Sequence, residues 1–130
     1  MRVAVIGLGR MGWPIAGHLA NPEHGHEVKV FDIAAAASAA WADEHAGAAA
    51  GSVADAVGQA DVIISSLPAD KQMQVVVEEA LPHIAAGAIW LDDSTISAAG
   101  ARRFADELSE RGAHFLDAPV SGGVDGARKG

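Results

Sequence analysis

Two short apolar runs and the glycines between them constrain this chain most. Val3-Ala4-Val5-Ile6 reads as a buried strand, Gly7-Leu8-Gly9-Arg10-Met11-Gly12 follows it, and a helical pattern begins at once. A second apolar run, Val28-Lys29-Val30-Phe31, ends at Asp32, twenty residues after Gly12. A strand, a glycine turn, a helix and a strand-end acid at that distance are what a dinucleotide site requires. Gly7 lets the chain leave the strand sharply. Gly9 removes a Cβ where a pyrophosphate would approach, and Gly12 lets the helix pack close to the sheet. The helix N-terminus adds free N–H groups and a positive dipole end. Asp32 stands where a carboxylate accepts hydrogen bonds from a ribose diol. The plain alternatives are a tight turn with no ligand and an acid that only ends a strand or caps a helix.

The rest of the composition narrows the partners. A net charge of −8 and a pI near 5.0 argue against nucleic acid or an anionic membrane, which need a basic face. Backbone N–H groups can still cradle a phosphate locally. There is no cysteine, hence no disulfide framework and no sulfur metal site. The stretch after Arg2 is too short for a signal peptide, is cut by Arg10, and lacks a cleavage pattern. No run approaches the ~18 apolar residues of a membrane span. The expectation is a soluble, cytoplasmic domain covering residues 1–130.

Strands are expected at Arg2–Ile6, Glu27–Asp32, Asp61–Ser65, Ala88–Asp92 and Ala113–Asp117, with a weaker one near Ala48–Ala50. Continuous apolar runs such as Ile89-Trp90-Leu91 suggest strands covered on both faces. Met11, Ile15 and Leu19 share a face of the first helix, with Pro14 tolerated in its first turn. In the last helix Ser97 caps, Ala101, Phe104, Ala105 and Leu108 form the stripe, and Gly112 closes. The alanine-rich stretch Ala34–Ala50 is helical by propensity. This alternation implies an α/β fold, a Rossmann-type doubly wound and mostly parallel sheet.

The unusual residues gather at one edge of that sheet. Gly7 to Gly12, Asp32, Leu67-Pro68, Asp92-Asp93-Ser94-Thr95 and Asp117-Ala118-Pro119-Val120-Ser121-Gly122-Gly123 each lie at or beyond a strand's carboxyl end. Open α/β sheets bind ligands there. Two successive glycines can aim backbone N–H groups at one anion, and a serine hydroxyl adds a third donor.

Together these segments resemble the N-terminal domain of the β-hydroxyacid dehydrogenases, the family of 3-hydroxyisobutyrate dehydrogenase and tartronate semialdehyde reductase. The 6-phosphogluconate dehydrogenases are more distant relatives. The carrying residues are Gly7 to Pro14, Asp92-Asp93-Ser94-Thr95-Ile96 and Asp117 through Ala127. The resemblance implies an NAD-dependent oxidoreductase acting on a small 3-hydroxy acid such as 3-hydroxyisobutyrate. It implies that Gly7, Leu8, Gly9, Arg10, Met11 and Gly12 bind the pyrophosphate. Leu67, Pro68, Ser94 and Thr95 would lie along the nicotinamide half, and Ser121, Gly122 and Gly123 would hold the substrate carboxylate. Asp32, followed by Ile33-Ala34-Ala35 with no arginine, favours NAD, and NADP less, because a 2′-phosphate beside a carboxylate is repelled.

The sequence departs from the family in two places. The turn Asn21 to His26 is slightly long. The family's catalytic lysine and its helical C-terminal domain lie beyond Gly130, so no catalytic residue is assigned and Lys129 reads as a solvated tail residue. The chain alone is therefore expected to bind cofactor but turn over poorly, and a homo-oligomer or a partner chain would complete it. A redox-sensing module and an S-adenosylmethionine methyltransferase are the other classes considered. No metal is expected. Asp92 and Asp93 read as strand-end acids accepting backbone hydrogen bonds, and His24-x-His26 with Glu23 and Glu27 reads as a surface turn away from the motifs.

Overall fold

The computed structural model describes residues 1–118 and 123–129, with the backbone only at 123–125. In chain order the elements are β1 (Arg2–Ile6), α1 (Gly12–Leu19), a 3-10 turn at Pro22–His24, β2 (Glu27–Phe31) and α2 (Ala35–Glu44). Next come β3 (Ala48–Ala49), α3 (Val53–Val57), β4 (Val62–Ser65), α4 (Asp70–Ala80) and a second 3-10 turn at Leu81–His83. The chain continues through β5 (Ile89–Asp92), α5 (Ala98–Glu110), β6 (His114–Asp117) and α6 (Gly123–Lys129). All strands pair in parallel in one sheet of order β3-β2-β1-β4-β5-β6, so the direction of winding reverses between β1 and β4. This is the Rossmann-type fold that the alternation implies.

Central β1 alternates its side chains between two cores, as the two-residue period of a strand requires. Ala4 and Ile6 face a layer built from α3, α4 and α5, with Met73, Val77, Trp90, Phe104 and Leu108 fully buried there. Val3 and Val5 face the other layer, where Ala16, Ala20 and Trp41 of the α1 and α2 region pack.

Several expectations need correction. The first helix does not bury a Met11, Ile15, Leu19 stripe. Gly12, Ala16 and Ala20 are buried, and those larger side chains are half-buried flanks. Close approach of α1 to the sheet leaves room for small residues only. In α5, Gly100, Phe104 and Leu108 take the innermost positions, with Ala101 and Ala105 beside them. Ser97 does cap it, accepting from Gly100 N–H at 2.9 Å, and Gly112 closes it with φ at +74°. The alanine-rich stretch divides into α2 and the two-residue β3, and the supposed tail at Lys129 is the last turn of α6. His18 Nε2 on α1 donates to the Arg128 carbonyl at 2.7 Å, which docks α6, while Lys129 is exposed.

Strands β5 and β6 are not covered on both faces. Ile89 and Leu116 are exposed among the described residues, because α1 lies over β1 and β2, with α2 over β2 and β3. The strand ends otherwise fall within one residue of expectation, and β2 stops at Phe31 to release Asp32 into the following turn.

Candidate cofactor site

The glycine turn is built by backbone contacts that tolerate no side chain at two of its three glycines. Gly7 has φ at +93°, a region that L side chains rarely adopt, and its N–H donates to the Phe31 carbonyl at 2.8 Å. A Cβ there would overlap the Ser66 carbonyl, and a Cβ on Gly12 would overlap the Gly7 carbonyl oxygen. Gly12 thus seals the turn against itself, a tighter task than packing helix on sheet. Gly9 differs from both: a Cβ there would meet nothing within 4 Å and would project into open space.

Asp32 reaches back across the rim. Its Oδ2 accepts from Leu8 N–H at 2.8 Å and its Oδ1 from Ala34 N–H at 2.9 Å, while its own N–H donates to Ser38 Oγ at 2.9 Å. The acid expected to serve a ligand is therefore also a strut of the turn. Leu8 is buried, Met11 half-buried and Arg10 exposed. Helix α1 opens at the turn with no side-chain cap and no acidic residue in its first turn, whereas Ser52 and Ser97 cap α3 and α5. An uncapped helix end beside an open Gly9 fits a phosphate group.

The second half of the rim is a polar network at the ends of β4 and β5. Asp92 is fully buried, and its Oδ1 accepts from Ser65 Oγ at 2.6 Å and from Ser94 N–H at 3.3 Å. Trp90 Nε1 donates to Ser65 Oγ at 2.8 Å, and Ser94 Oγ accepts from Leu67 N–H at 2.6 Å. Buried Ser94 thereby joins the Leu67-Pro68 loop to the Ser94-Thr95 turn, with Pro68 and Thr95 exposed. Burial pushes the Asp92 carboxyl up, against the pull of the Ser65 and Ser94 hydrogen bonds.

Asp93 corrects the expectation that strand-end acids accept backbone hydrogen bonds. Neither of its carboxylate oxygens has a hydrogen-bond partner, and both are shielded from solvent. Burial raises its pKa to about 6, with the Ser66 hydroxyl close enough to hold it down in part and Asp92 adding repulsion.

Asp70, at the start of α4, accepts from both the N–H and the hydroxyl of Ser97 and so ties two helix N-termini together. Those bonds hold its carboxyl below the usual range. The residue pattern gave no sign of this tie, and only the paired serines Ser65-Ser66 at a strand end hinted at the buried network. Gly123 begins α6. Ser121 and Gly122 lie outside the described residues.

The structure thus brings the glycine turn, Asp32, Leu67-Pro68 and Ser94-Thr95 to one rim. The His24 and His26 rings stack at 6.3 Å at the opposite edge, where His26 Nδ1 lies 3.3 Å from the N-terminal amine. A cavity of about 330 Å³ also lies there, and its charged lining is held in the pairs Arg2–Glu27 and Lys29–Asp55. It does not touch the glycine turn. Among the described residues no helix is long and apolar enough to cross a membrane, and no group of three or more His, Asp or Glu converges.

Comparison with known proteins agrees with this site. An NAD-dependent L-serine dehydrogenase of Pseudomonas aeruginosa is 42% identical over 132 residues, covering 99% of this chain and 43% of that protein. A 3-hydroxyisobutyrate dehydrogenase of the same organism is 37% identical over 131 residues, covering 98% of this chain and 43% of the relative. The solved structure of the Mycobacterium tuberculosis 3-hydroxyisobutyrate dehydrogenase with L-serine superposes with a TM-score of 0.90 at 38% identity, covering 98% of this chain and 43% of that one. The chain therefore spans less than half the length of these relatives. The family model for the NAD binding domain of 6-phosphogluconate dehydrogenase matches residues 2–130, and with the glycine turn, the strand-end acid and the winding reversal already in place, the chain belongs to that family of NAD-binding domains.

Proposed function

We propose that this domain is the cofactor-binding half of an NAD-dependent dehydrogenase of small 3-hydroxy acids, such as 3-hydroxyisobutyrate or serine. The observation that carries this reading is the pairing of an open Gly9 with the uncapped start of α1, beside an acid that closes β2. When bound, the cofactor supplies hydride transfer at its nicotinamide ring. The chain's own residues bind and orient. The glycine turn and the first turn of α1 hold the pyrophosphate, and Asp32 takes the adenosine ribose, which favours NAD over NADP.

Leu67, Pro68, Ser94 and Thr95 position the nicotinamide half. Ser121, Gly122 and Gly123 anchor the substrate carboxylate. The general acid–base and the remaining cover over the site come from outside residues 1–130, in a helical domain or a partner chain, and the exposed Ile89 and Leu116 are apolar surface for such a contact. A cytoplasmic setting accords with the absence of cysteine from the sequence.

Titration with NADH and with NADPH, read by energy transfer from the three tryptophans, tests the reading. Tighter NADH binding is expected. If neither nucleotide binds, or NADPH binds as tightly as NADH, the assignment of Asp32 and of the turn falls.

A further inference from the structure

Asp93 is a carboxyl of the rim, shielded from solvent, that the reading above leaves without a task. Its N–H makes the last rung between β5 and β4, donating to the Ser65 carbonyl at 3.0 Å. Asp92 beside it is engaged by Ser65 and Ser94 through Oδ1 and leaves only Oδ2 unpartnered, whereas both Asp93 oxygens are buried without a partner. An unpartnered buried carboxylate is unfavourable in an apo domain and calls for a ligand or a function.

Its surroundings indicate which ligand group. Ser66, its polar neighbour, is wedged against the glycine turn: the Ser66 Cβ lies 3.6 Å from where a Cβ on Gly12 would stand. Asp93 also directly precedes Ser94, whose hydroxyl holds the Leu67 N–H. In a sheet wound in both directions a dinucleotide bridges the crevice at the reversal, here between β1 and β4. With the pyrophosphate at the turn and one ribose at Asp32 over β2, the other half extends over β4 and β5, past Asp93. The two redox forms of that half differ by one positive charge, carried by the oxidised ring.

We propose that Asp93 discriminates between oxidised and reduced cofactor, its carboxylate attracting the cationic ring of NAD+ and not the neutral ring of NADH. The inference rests on the dinucleotide reading above. Ionisation near pH 6 makes the preference adjustable by pH: NAD+ stabilises the ionised carboxylate, so its binding expels the proton that NADH leaves in place. Asp92 is the charged group that acts on Asp93, and Asp117, opposite Asp92 on β6, acts in turn on Asp92. No basic side chain is among the groups that set the Asp93 ionisation. The six histidines all lie outside the rim loops.

The test is the ratio of dissociation constants, NADH over NAD+, measured between pH 5 and pH 8, with NADH followed by tryptophan energy transfer and NAD+ by displacement. One pKa unit of coupling corresponds to a rise of about tenfold in the ratio with its midpoint near pH 6. Asp93→Asn should bind both forms with a ratio that no longer changes with pH. Calorimetry of the unmodified chain in two buffers of different ionisation enthalpy should show proton release with NAD+ and not with NADH, a readout that needs no variant. A flat ratio in the unmodified chain, equal proton release for both forms, or a variant that keeps the full pH dependence would overturn the proposal. Failure of both nucleotides to bind would remove the dinucleotide reading and this inference with it.

Discussion

The Leu8 N–H donates to Asp32 Oδ2 at 2.8 Å, so the acid at the end of β2 holds the middle of the glycine turn that follows β1. A contact between residues 24 positions apart in sequence makes the two halves of the motif one object. Asp32 therefore shapes the phosphate loop while standing where a ribose would bind. Asp32→Asn keeps an acceptor for Leu8 but removes the charge. Combined with Ile33→Arg, at a site that is 96% exposed, it should shift the NADH-to-NADPH affinity ratio toward NADPH by about tenfold or more. Competitive titration of the two nucleotides measures the ratio, and an unchanged value would exclude Asp32 from cofactor choice.

The glycines at positions 9 and 12 should fail in opposite ways. Gly12→Ala drives a methyl into the Gly7 carbonyl and should destabilise the domain by about 2–3 kcal/mol, read by thermal unfolding. Gly9→Ala meets nothing and should leave stability within about 0.5 kcal/mol while weakening NADH at least tenfold, because its methyl occupies the space meant for phosphate. Equal stability loss in both variants would contradict the distinction.

Stability should fall as pH rises through the interval from about 4 to 6. Asp93 has a folded-state pKa of about 6 against 3.8 for the unfolded chain, and Asp92 is raised as well. Between those values the folded state binds more protons than the unfolded one, so raising pH favours unfolding. Asp93→Asn should reduce this slope to the part that Asp92 contributes and stabilise the chain at pH 7 by about 1–2 kcal/mol, the shift being discounted because the residue as a whole is only half-buried. Urea unfolding at pH 4.5 and pH 7 checks both statements, and a variant no more stable than the parent at pH 7 would refute them.

Ser94→Ala leaves the half-buried Leu67 N–H without its acceptor, a loss of about 1 kcal/mol in chemical denaturation. If Ser94 also positions the nicotinamide half, NADH affinity should fall while the affinity for ADP-ribose, which lacks that ring, stays the same. Parallel losses for both ligands would reduce Ser94 to a structural residue.

In a full-length relative carrying this domain, Ser121→Ala should raise KM for the hydroxy acid about tenfold and leave KM for NAD within a factor of two, the signature of one lost charge-assisted hydrogen bond. Steady-state kinetics with each substrate varied in turn would show it, and an unchanged KM for the acid would exclude Ser121 from the carboxylate site.

The elements were legible because β1, β4 and β5 carry continuous apolar runs, even where β5 is covered on one face only, and because Gly7, Gly12, Ser97 and Gly112 are required by local backbone geometry. The face of α1 was misread, since hydrophobicity favours Met11, Ile15 and Leu19, whereas a helix close to a sheet selects the smallest side chains, Gly12, Ala16 and Ala20. Helix α6 was hidden by its glycines, whose low helix propensity is overcome by docking on α1 through His18 and Arg128.

By itself the sequence determined the alternation of strands and helices, the turn at Gly7 to Gly12, and the gathering of unusual residues at strand ends, all of which depend on local spacing. The tertiary structure alone sets that Asp32 braces Leu8, that Ser94 joins two rim loops, and that Asp92 is held through one oxygen while neither oxygen of Asp93 has a partner. Those outcomes are set by which distant backbone groups the sheet brings within hydrogen-bonding reach, and no spacing along one chain records that.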